Sequence, residues 1–95
     1  MFVIKTFKNA LAQSIYQRRA SRKLPIDIQQ VALRKLRMIN NAISLNDLRI
    51  PPANRLEKLG GSREGQWSIR VNDKWRICFE WQERDAYNVE IVDYH

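Results

Sequence analysis

The hydrophobic pattern of this 95-residue chain changes period near its middle. Before residue 44, apolar residues recur at spacings of three and four, which is typical of one face of a helix: Ile28, Ala32, Leu36, Ile39 and Ile43. After residue 66, apolar and polar residues alternate, as in half-buried strands. The change predicts an α+β fold in a single domain spanning 1–95. A small antiparallel sheet would carry the two helices of the N-terminal half on one face.

Turn residues and prolines divide these patterns into elements. We expect a strand over 2–7, helices over 9–19 and 25–42, a short helical turn over 44–48, and strands over 55–59, 67–71, 75–81 and 87–91. The last three strands are separated by short turns, which predicts a meander. On the second helix, Arg34, Lys35 and Arg37 are expected to point away from the core.

The alternation assigns the sheet residues to two faces. The row expected to face the helices is apolar and holds all three tryptophans, which favours core packing over base stacking for them: Trp67, Ile69, Val71, Trp75, Ile77, Phe79 and Trp81. Arg70 and Arg76 fall on the opposite face with Ser68 and Glu80, and this face is expected to be bare. It is either a phosphate-binding surface or an ordinary solvated face on which Arg70 pairs with Glu80.

The net charge of +7 favours a polyanionic partner. Arg63, Lys58 and Lys74 lie in or near the turns that adjoin the arginine face and would widen its positive area. A second basic group lies between the helices and predicts a solvated loop or a protein contact: Arg18, Arg19, Arg22 and Lys23.

Other functional classes find little support in the sequence. No stretch approaches the roughly 20 apolar residues of a membrane span, and the short apolar start is unlike a signal peptide. The single cysteine, Cys78, has no partner for a disulfide and only one histidine as a companion ligand, so we expect neither a disulfide nor a zinc site. These features predict a cytoplasmic protein without a metal or other cofactor.

The tail Asp93-Tyr94-His95 places the chain's one histidine directly after an apolar strand. Histidine exchanges protons near neutral pH, and Asp93 could orient it or bias its charge. RNA cleavage needs a base for the 2′-hydroxyl, cations for the phosphate and an acid for the leaving 5′-oxygen. His95, Tyr94 and the arginine face could supply these groups without a metal ion.

Three motifs make a resemblance visible: REGQWSIRVN at 63–72, WRICF at 75–79 and VDYH at 92–95, preceded by NRLEKL at 54–59. Together they resemble the HigB family of toxins in the RelE/ParE superfamily. The resemblance implies an endoribonuclease that cleaves mRNA in the decoding site of a translating 70S ribosome. It also implies a partner, a helix-turn-helix antitoxin (HigA-like) that represses the operon, so that operator DNA is contacted only through the antitoxin.

The same resemblance implies roles for individual residues. Arg76 would contact the scissile phosphate, and Asp93, Tyr94 and His95 would form a terminal catalytic cluster. By face and charge we add RNA-binding roles for a basic set, which is Arg63, Arg70, Lys74 and Lys58.

The chain departs from the family at Glu57, where some members carry a histidine, and at Gly60, where some carry a lysine. Glu57 is either a replacement general base or a surface carboxylate paired with Lys58 or an arginine. Two other functions stay open: a toxin of the type that poisons DNA gyrase, and an RNA-binding module without catalytic activity.

Overall fold

The computed structural model describes residues 3–19 and 21–93. This part of the chain forms three helices, α1 (Ala10–Tyr16), α2 (Ile26–Asn41) and α3 (Leu45–Arg49), followed by four strands, β1 (Glu57–Lys58), β2 (Gln66–Arg70), β3 (Trp75–Gln82) and β4 (Asp85–Asp93). Two 3₁₀ turns, Pro52–Asn54 and Gly61–Arg63, flank β1. The strands form one antiparallel sheet in the order β1-β2-β3-β4, which confirms the predicted α+β fold and meander.

The core lies between the helices and one face of the sheet. From α2 it receives Ala32, Leu36 and Ile39, and from the sheet it receives Ile69, Ile77, Phe79 and Ile91, all buried. The three tryptophans are half-buried and pack against this cluster, as the alternation predicted. Helices that cover only one face leave the other face of the sheet to polar residues.

Ile43 does not continue the helical face, contrary to the prediction. The backbone becomes extended at Ala42 (φ −72°, ψ 136°), so α2 ends at Asn41, two residues before Ile43, and Ile43 is 70% exposed. The capping box of α3 stops the helix here, because the Asp47 carboxylate accepts from the backbone N–H groups of Ile43 and Ser44.

The predicted first strand is only partly regular, and its first residue, Phe2, lies outside the described residues. The segment 3–8 runs parallel to β4, with isolated bridges from Ile4 to Ala86 and from Phe7 to Val89. β4 has a bulge in its pairing with β3, beside this segment, where Asn88 adopts a left-handed conformation (φ 54°). Its N–H donates to the Thr6 hydroxyl at 2.7 Å.

Lys35 is buried, so the expectation that it points away from the core is wrong. Its ammonium donates to the side-chain oxygen of Asn54. Asn54 is itself fully buried, and its side-chain nitrogen donates to the Leu48 carbonyl at 3.0 Å. The turn at Pro52–Asn54 supplies this acceptor, which the helical period of α2 alone could not reveal. Burial, followed by the neighbouring charges of Arg34 and Arg70, lowers the pKa of Lys35.

Candidate active site

Strand pairing aligns a row of polar side chains on the face opposite the helices. Arg70 lies opposite Arg76, and Ser68 lies between Glu57 on one side and Cys78 on the other. Paired residues point to the same face of a sheet, so the two arginines share one face as predicted. We call it the polar face; its residues are Glu57, Ser68, Arg70, Arg76, Cys78 and Glu90.

The polar face is not bare, contrary to the prediction. Ser68, Arg76 and Glu90 are buried although they lie on the side away from the helices. Side chains from outside β2–β4 reach over this face, because Lys8 and Arg63 both approach the Glu90 carboxylate. Alternation assigns a residue to a face but does not reveal what the connecting segments place over it.

Arg76 is held in one position by three kinds of acceptor. Its Nε donates to the Ser68 hydroxyl at 2.8 Å, and its Nη2 donates to the Arg55 carbonyl at 2.7 Å. The Glu57 carboxylate lies 3.9 Å from the same Nη2. Only 8% of the residue is exposed. A guanidinium fixed in this way loses little conformational freedom when it binds an anion.

The Arg55 carbonyl reaches Arg76 because the chain makes a sharp turn at Arg55. Arg55 caps the 3₁₀ turn in a left-handed conformation, with φ 44° and ψ 57°. The preceding residue, Asn54, anchors this turn to Lys35 and Leu48 through its buried amide. Sequence reasoning assigned no role to Arg55, Ser68 or Asn54; the Pro51-Pro52 pair marked a turn but not its contacts.

Glu57 lies at the solvent side of Arg76. Its side chain is 53% exposed and its carboxylate forms the ion pair with Arg76. Of the two interpretations left open by the sequence, pairing with an arginine is therefore present in the structure. A half-exposed carboxylate beside a fixed cation also remains accessible to a substrate hydroxyl.

Arg70 does not pair with Glu80, so that alternative for the arginine face is wrong. The register places Glu80 opposite Gln66, at the other end of β2, and Glu80 accepts from the Asn88 amide instead. Arg70 forms an ion pair with Asp73, whose side chain is 98% exposed. Water competes strongly for this exposed carboxylate, so the ion pair holds Arg70 only weakly.

The β2–β3 turn meets the end of β4. Lys74 lies 3.6 Å from the Asp93 carboxylate and 5.7 Å from the ring centre of Trp75. Asp93 pairs with Trp75 in register, so alternation places it on the face opposite Arg76. Tyr94 and His95, the other two members of the predicted terminal cluster, lie outside the described residues.

Two further residues of the predicted basic set differ in their position. Arg63 lies over the polar face, where it donates to the Gln66 side chain at 3.0 Å and approaches Glu90 at 3.7 Å. Lys58 is exposed and pairs with Trp67, so alternation places it on the opposite face from Glu57. The structure therefore brings Arg63, Arg70 and Arg76 together at the polar face. Lys58 lies on the other face, and Lys74, in the β2–β3 turn, contacts Asp93 and Trp75.

Cys78 is fully buried beneath the polar face. Burial raises the pKa of its thiol, although the charge of Arg63 acts in the opposite direction. We expect the native protein to react with a thiol reagent such as dithionitrobenzoate at least about tenfold more slowly than the urea-unfolded chain. The chain has one cysteine, so the absorbance change reports this site directly; equal rates would contradict the buried position.

Within residues 3–19 and 21–93, no group of three or more His, Cys, Asp and Glu side chains is arranged to hold a metal ion. In the same residues, no helix combines the length and apolar character needed to cross a membrane.

Comparison with known proteins identifies the family. The sequence model of one protein family, the RelE-like toxin of type II toxin–antitoxin system HigB, matches residues 5–95. The chain belongs to this family of HigB-like toxins. The toxin HigB-1 of Vibrio cholerae is 39% identical over 83 residues, 86% of this chain and 87% of that protein. The endoribonuclease HigB of Proteus vulgaris is 33% identical over 94 residues, 98% of this chain and 100% of that protein.

Membership of the HigB-like toxins confirms the resemblance seen in the sequence motifs. A type II toxin–antitoxin family implies an antitoxin as the protein partner of this toxin. The matched residues, 5–95, include the whole polar face.

Proposed function

We propose that this HigB-like toxin is a ribosome-dependent endoribonuclease that cleaves mRNA during translation. The observation that carries the proposal is the guanidinium of Arg76, held by Ser68 and Arg55 next to the accessible carboxylate of Glu57. The name of the Proteus vulgaris relative, an endoribonuclease, supports the same activity. A preorganised cation beside a proton acceptor is the arrangement that phosphodiester cleavage requires.

The proposed reaction uses the RNA's own 2′-hydroxyl as nucleophile. A base takes its proton, the 2′-oxygen forms a bond to phosphorus, and the bond to the 5′-oxygen breaks as an acid protonates that oxygen. The products are a 2′,3′-cyclic phosphate and a 5′-hydroxyl. Side chains supply both proton transfers, and Arg76 stabilises the charge that develops on the phosphate.

The proton transfers are assigned to Glu57 and to residues of the terminal segment 93–95. We assign Glu57 the role of the base that accepts the 2′-hydroxyl proton, because its half-exposed carboxylate lies 3.9 Å from Arg76. Tyr94 and His95 follow Asp93 directly in the sequence. We assign His95 the role of acid, Tyr94 that of a second proton donor or an aromatic platform, and Asp93 that of orienting group.

The remaining cations are assigned to RNA binding. Arg70 and Lys74 pair with exposed carboxylates, and such surface pairs are worth about 0–1 kcal/mol, so an RNA phosphate can replace the carboxylate. Arg63 extends this surface over the polar face. Lys58, on the other face, would contact a different part of the RNA.

The proposed partners follow from this activity and from the family. They are the 70S ribosome, its mRNA and a HigA-like helix-turn-helix antitoxin that alone contacts operator DNA. Translated mRNA places the site of action in the cytoplasm.

Mapping of mRNA 5′ ends after brief induction of the toxin tests the proposal. We expect new 5′-hydroxyl ends within translated codons, which disappear when translation of that mRNA is blocked. Glu57→Gln, which keeps the shape but removes the base, is expected to lower the yield of ends about 10²-fold or more. The matched control Glu83→Gln changes an exposed glutamate in the β3–β4 turn and is expected to leave the yield unchanged within about twofold.

Two outcomes would contradict the proposal. Growth arrest with intact translated transcripts would favour a toxin without nuclease activity, such as a gyrase poison. New ends that carry 5′-phosphates would exclude attack by the 2′-hydroxyl. If Glu57→Gln cleaves like the wild type, the base is another group and Glu57 only pairs with Arg76.

A further inference from the structure

A buried carboxylate on the polar face has no role in the proposed chemistry. Glu90 lies in β4, only 7% of the residue is exposed, and its Oε2 atom accepts no hydrogen bond from the described part of the chain. Lys8 Nζ and Arg63 Nη1 lie 3.4 Å and 3.7 Å from this oxygen. We call these three residues the Glu90 cluster. Burial of a carboxylate without hydrogen-bond donors is costly, so the protein keeps the cluster together at some cost to its stability.

Both cations of the Glu90 cluster keep hydrogen-bond donors for a ligand. Within residues 3–19 and 21–93, the half-exposed Lys8 ammonium has no hydrogen-bond acceptor, although Glu90 lies at ion-pair distance. Arg63 donates from Nη1 to the Gln66 side chain at 3.0 Å, and no described group accepts from its Nη2. The cluster is positively charged overall, because it joins two cations and one carboxylate. Such a pair of cations with unused donors complements a phosphate group.

The N-terminal segment places Lys8 at the polar face. The Lys8 N–H donates to the Val89 carbonyl at 2.8 Å, and the side-chain amide of Asn9 donates to the Ile91 carbonyl at 3.0 Å. These two hydrogen bonds fix the segment along β4 on either side of Glu90. Sequence reasoning assigned no role to Lys8, because the segment and β4 are distant in the sequence and only the folded chain brings them together.

The Glu90 cluster and Arg76 lie on opposite sides of Cys78 on the same face. Cys78 pairs in register with Glu90 on one side and with Ser68, which accepts from Arg76, on the other. Burial raises the pKa of the Cys78 thiol, and the charges of Arg76 and of all three cluster residues act on it as well. The strands of Ser68 and Glu90 are two strand spacings apart, about 10 Å. Long side chains from both centres can therefore contact neighbouring phosphates of one RNA strand.

We propose that Lys8 and Arg63 form a second phosphate-binding subsite, which holds an mRNA phosphate next to the scissile one at Arg76. The buried Glu90 carboxylate brings the two cations together over the polar face and leaves their donors to the RNA. The inference rests on the proposed nuclease function, because it places an mRNA strand at Arg76. It adds Lys8 to the RNA-binding residues and gives Arg63 a specific ligand.

Removal of the charge from single mRNA phosphates tests this assignment. The probe is a ribosome programmed with an mRNA that has a 2′-deoxy nucleotide at the mapped cleavage site, so that the toxin binds without cutting. A methylphosphonate replaces the phosphate on one or the other side of the scissile one. For the wild type, one of the two replacements is expected to raise the Kd at least about tenfold, because charge-assisted hydrogen bonds are lost. For Lys8→Gln and for Arg63→Gln the same replacement is expected to raise it about threefold or less, since each variant has already lost one of the two contacts.

Lys5→Gln is the matched control for Lys8→Gln. Lys5 belongs to the same N-terminal segment, but its ammonium pairs with Asp85 at the start of β4. This variant is expected to respond to the methylphosphonate like the wild type. Salt dependence gives a second readout, because loss of one phosphate contact in Lys8→Gln is expected to lower the slope of log Kd against log salt concentration by about 0.7. Melting curves confirm that each variant is folded; the single variants leave Glu90 one cation.

Three results would overturn the proposal. The first is a methylphosphonate effect in Lys8→Gln and Arg63→Gln that equals the wild-type effect, which would assign both cations to other contacts. The second is the lack of any effect of either methylphosphonate on the wild type. The third is a loss of the effect in Lys5→Gln as well, which would mean that net charge alone is recognised.

Cleavage of the unmodified mRNA by the wild type is measured alongside. Absence of cleavage would overturn the nuclease proposal together with this inference. Cleavage by the wild type combined with equal methylphosphonate effects in wild type and variants would overturn the second subsite alone.

Discussion

Replacement of Arg76 with alanine is expected to lower the rate of mRNA cleavage on the ribosome by about 10²–10³-fold, the usual cost of one preorganised group that stabilises transition-state charge. The side chain is fixed by Ser68 and the Arg55 carbonyl, so its orientation is set before the substrate binds. Ribosome affinity is expected to change little, because exposed cations elsewhere supply the contacts to RNA phosphates. Single-turnover cleavage and a ribosome co-sedimentation assay measure the two quantities separately.

Two companion variants make this result interpretable. Arg76→Lys keeps the charge but not the planar fork of donors, and it is expected to recover only part of the rate. Arg84→Ala removes an exposed arginine at the β3–β4 turn and is expected to cleave within about twofold of the wild type. Equal loss of cleavage and ribosome binding in Arg76→Ala would contradict a role for Arg76 in the chemical step, provided that its melting curve shows a folded protein.

The second large effect is expected in the buried pair of Lys35 and Asn54. Asn54→Leu leaves the buried ammonium without its acceptor and is expected to lower the free energy of unfolding by about 3 kcal/mol. Lys35→Met is expected to cost about 1–2 kcal/mol, because only a neutral amide oxygen loses its partner. The double variant is expected to be more stable than the sum of the single effects predicts, with a coupling of about 1–3 kcal/mol. Urea denaturation measures all three; additivity would mean that the pair does not interact.

The lowered pKa of Lys35 adds a pH signature to the same cycle. Burial lowers this pKa from its ordinary value of 10.5, so between the two pKa values the unfolded chain binds more protons than the folded protein. The free energy of unfolding then rises with pH in the window below 10.5. Lys35→Met lacks this contribution, so the stability difference between wild type and variant is expected to grow as pH rises through that window.

Much of the polar face could be predicted from the sequence because strand alternation is a local property. The shared face of Arg70 and Arg76 required only the period of two, and the turns between strands marked the meander. The burial of Arg76 could not be predicted in this way, since its acceptors come from Arg55 and Ser68, separated from it by 21 and 8 residues. The prediction that Lys35 points away from the core was wrong for the same reason, because its hydrogen-bond acceptor lies 19 residues away.

The sequence by itself determined the fold class, the division of the sheet into an apolar and a polar face, and the family, because periodicity and short motifs depend only on neighbouring residues. Tertiary structure alone decided which cation is fixed and which are exposed, that Asn54 anchors the turn before Arg55, and that Glu90 is buried beside Lys8 and Arg63. These features depend on which distant segments of the chain come into contact in the folded protein. They are set by burial and by hydrogen bonds between residues distant in the sequence, and a local sequence pattern predicts neither the burial nor the hydrogen bonds.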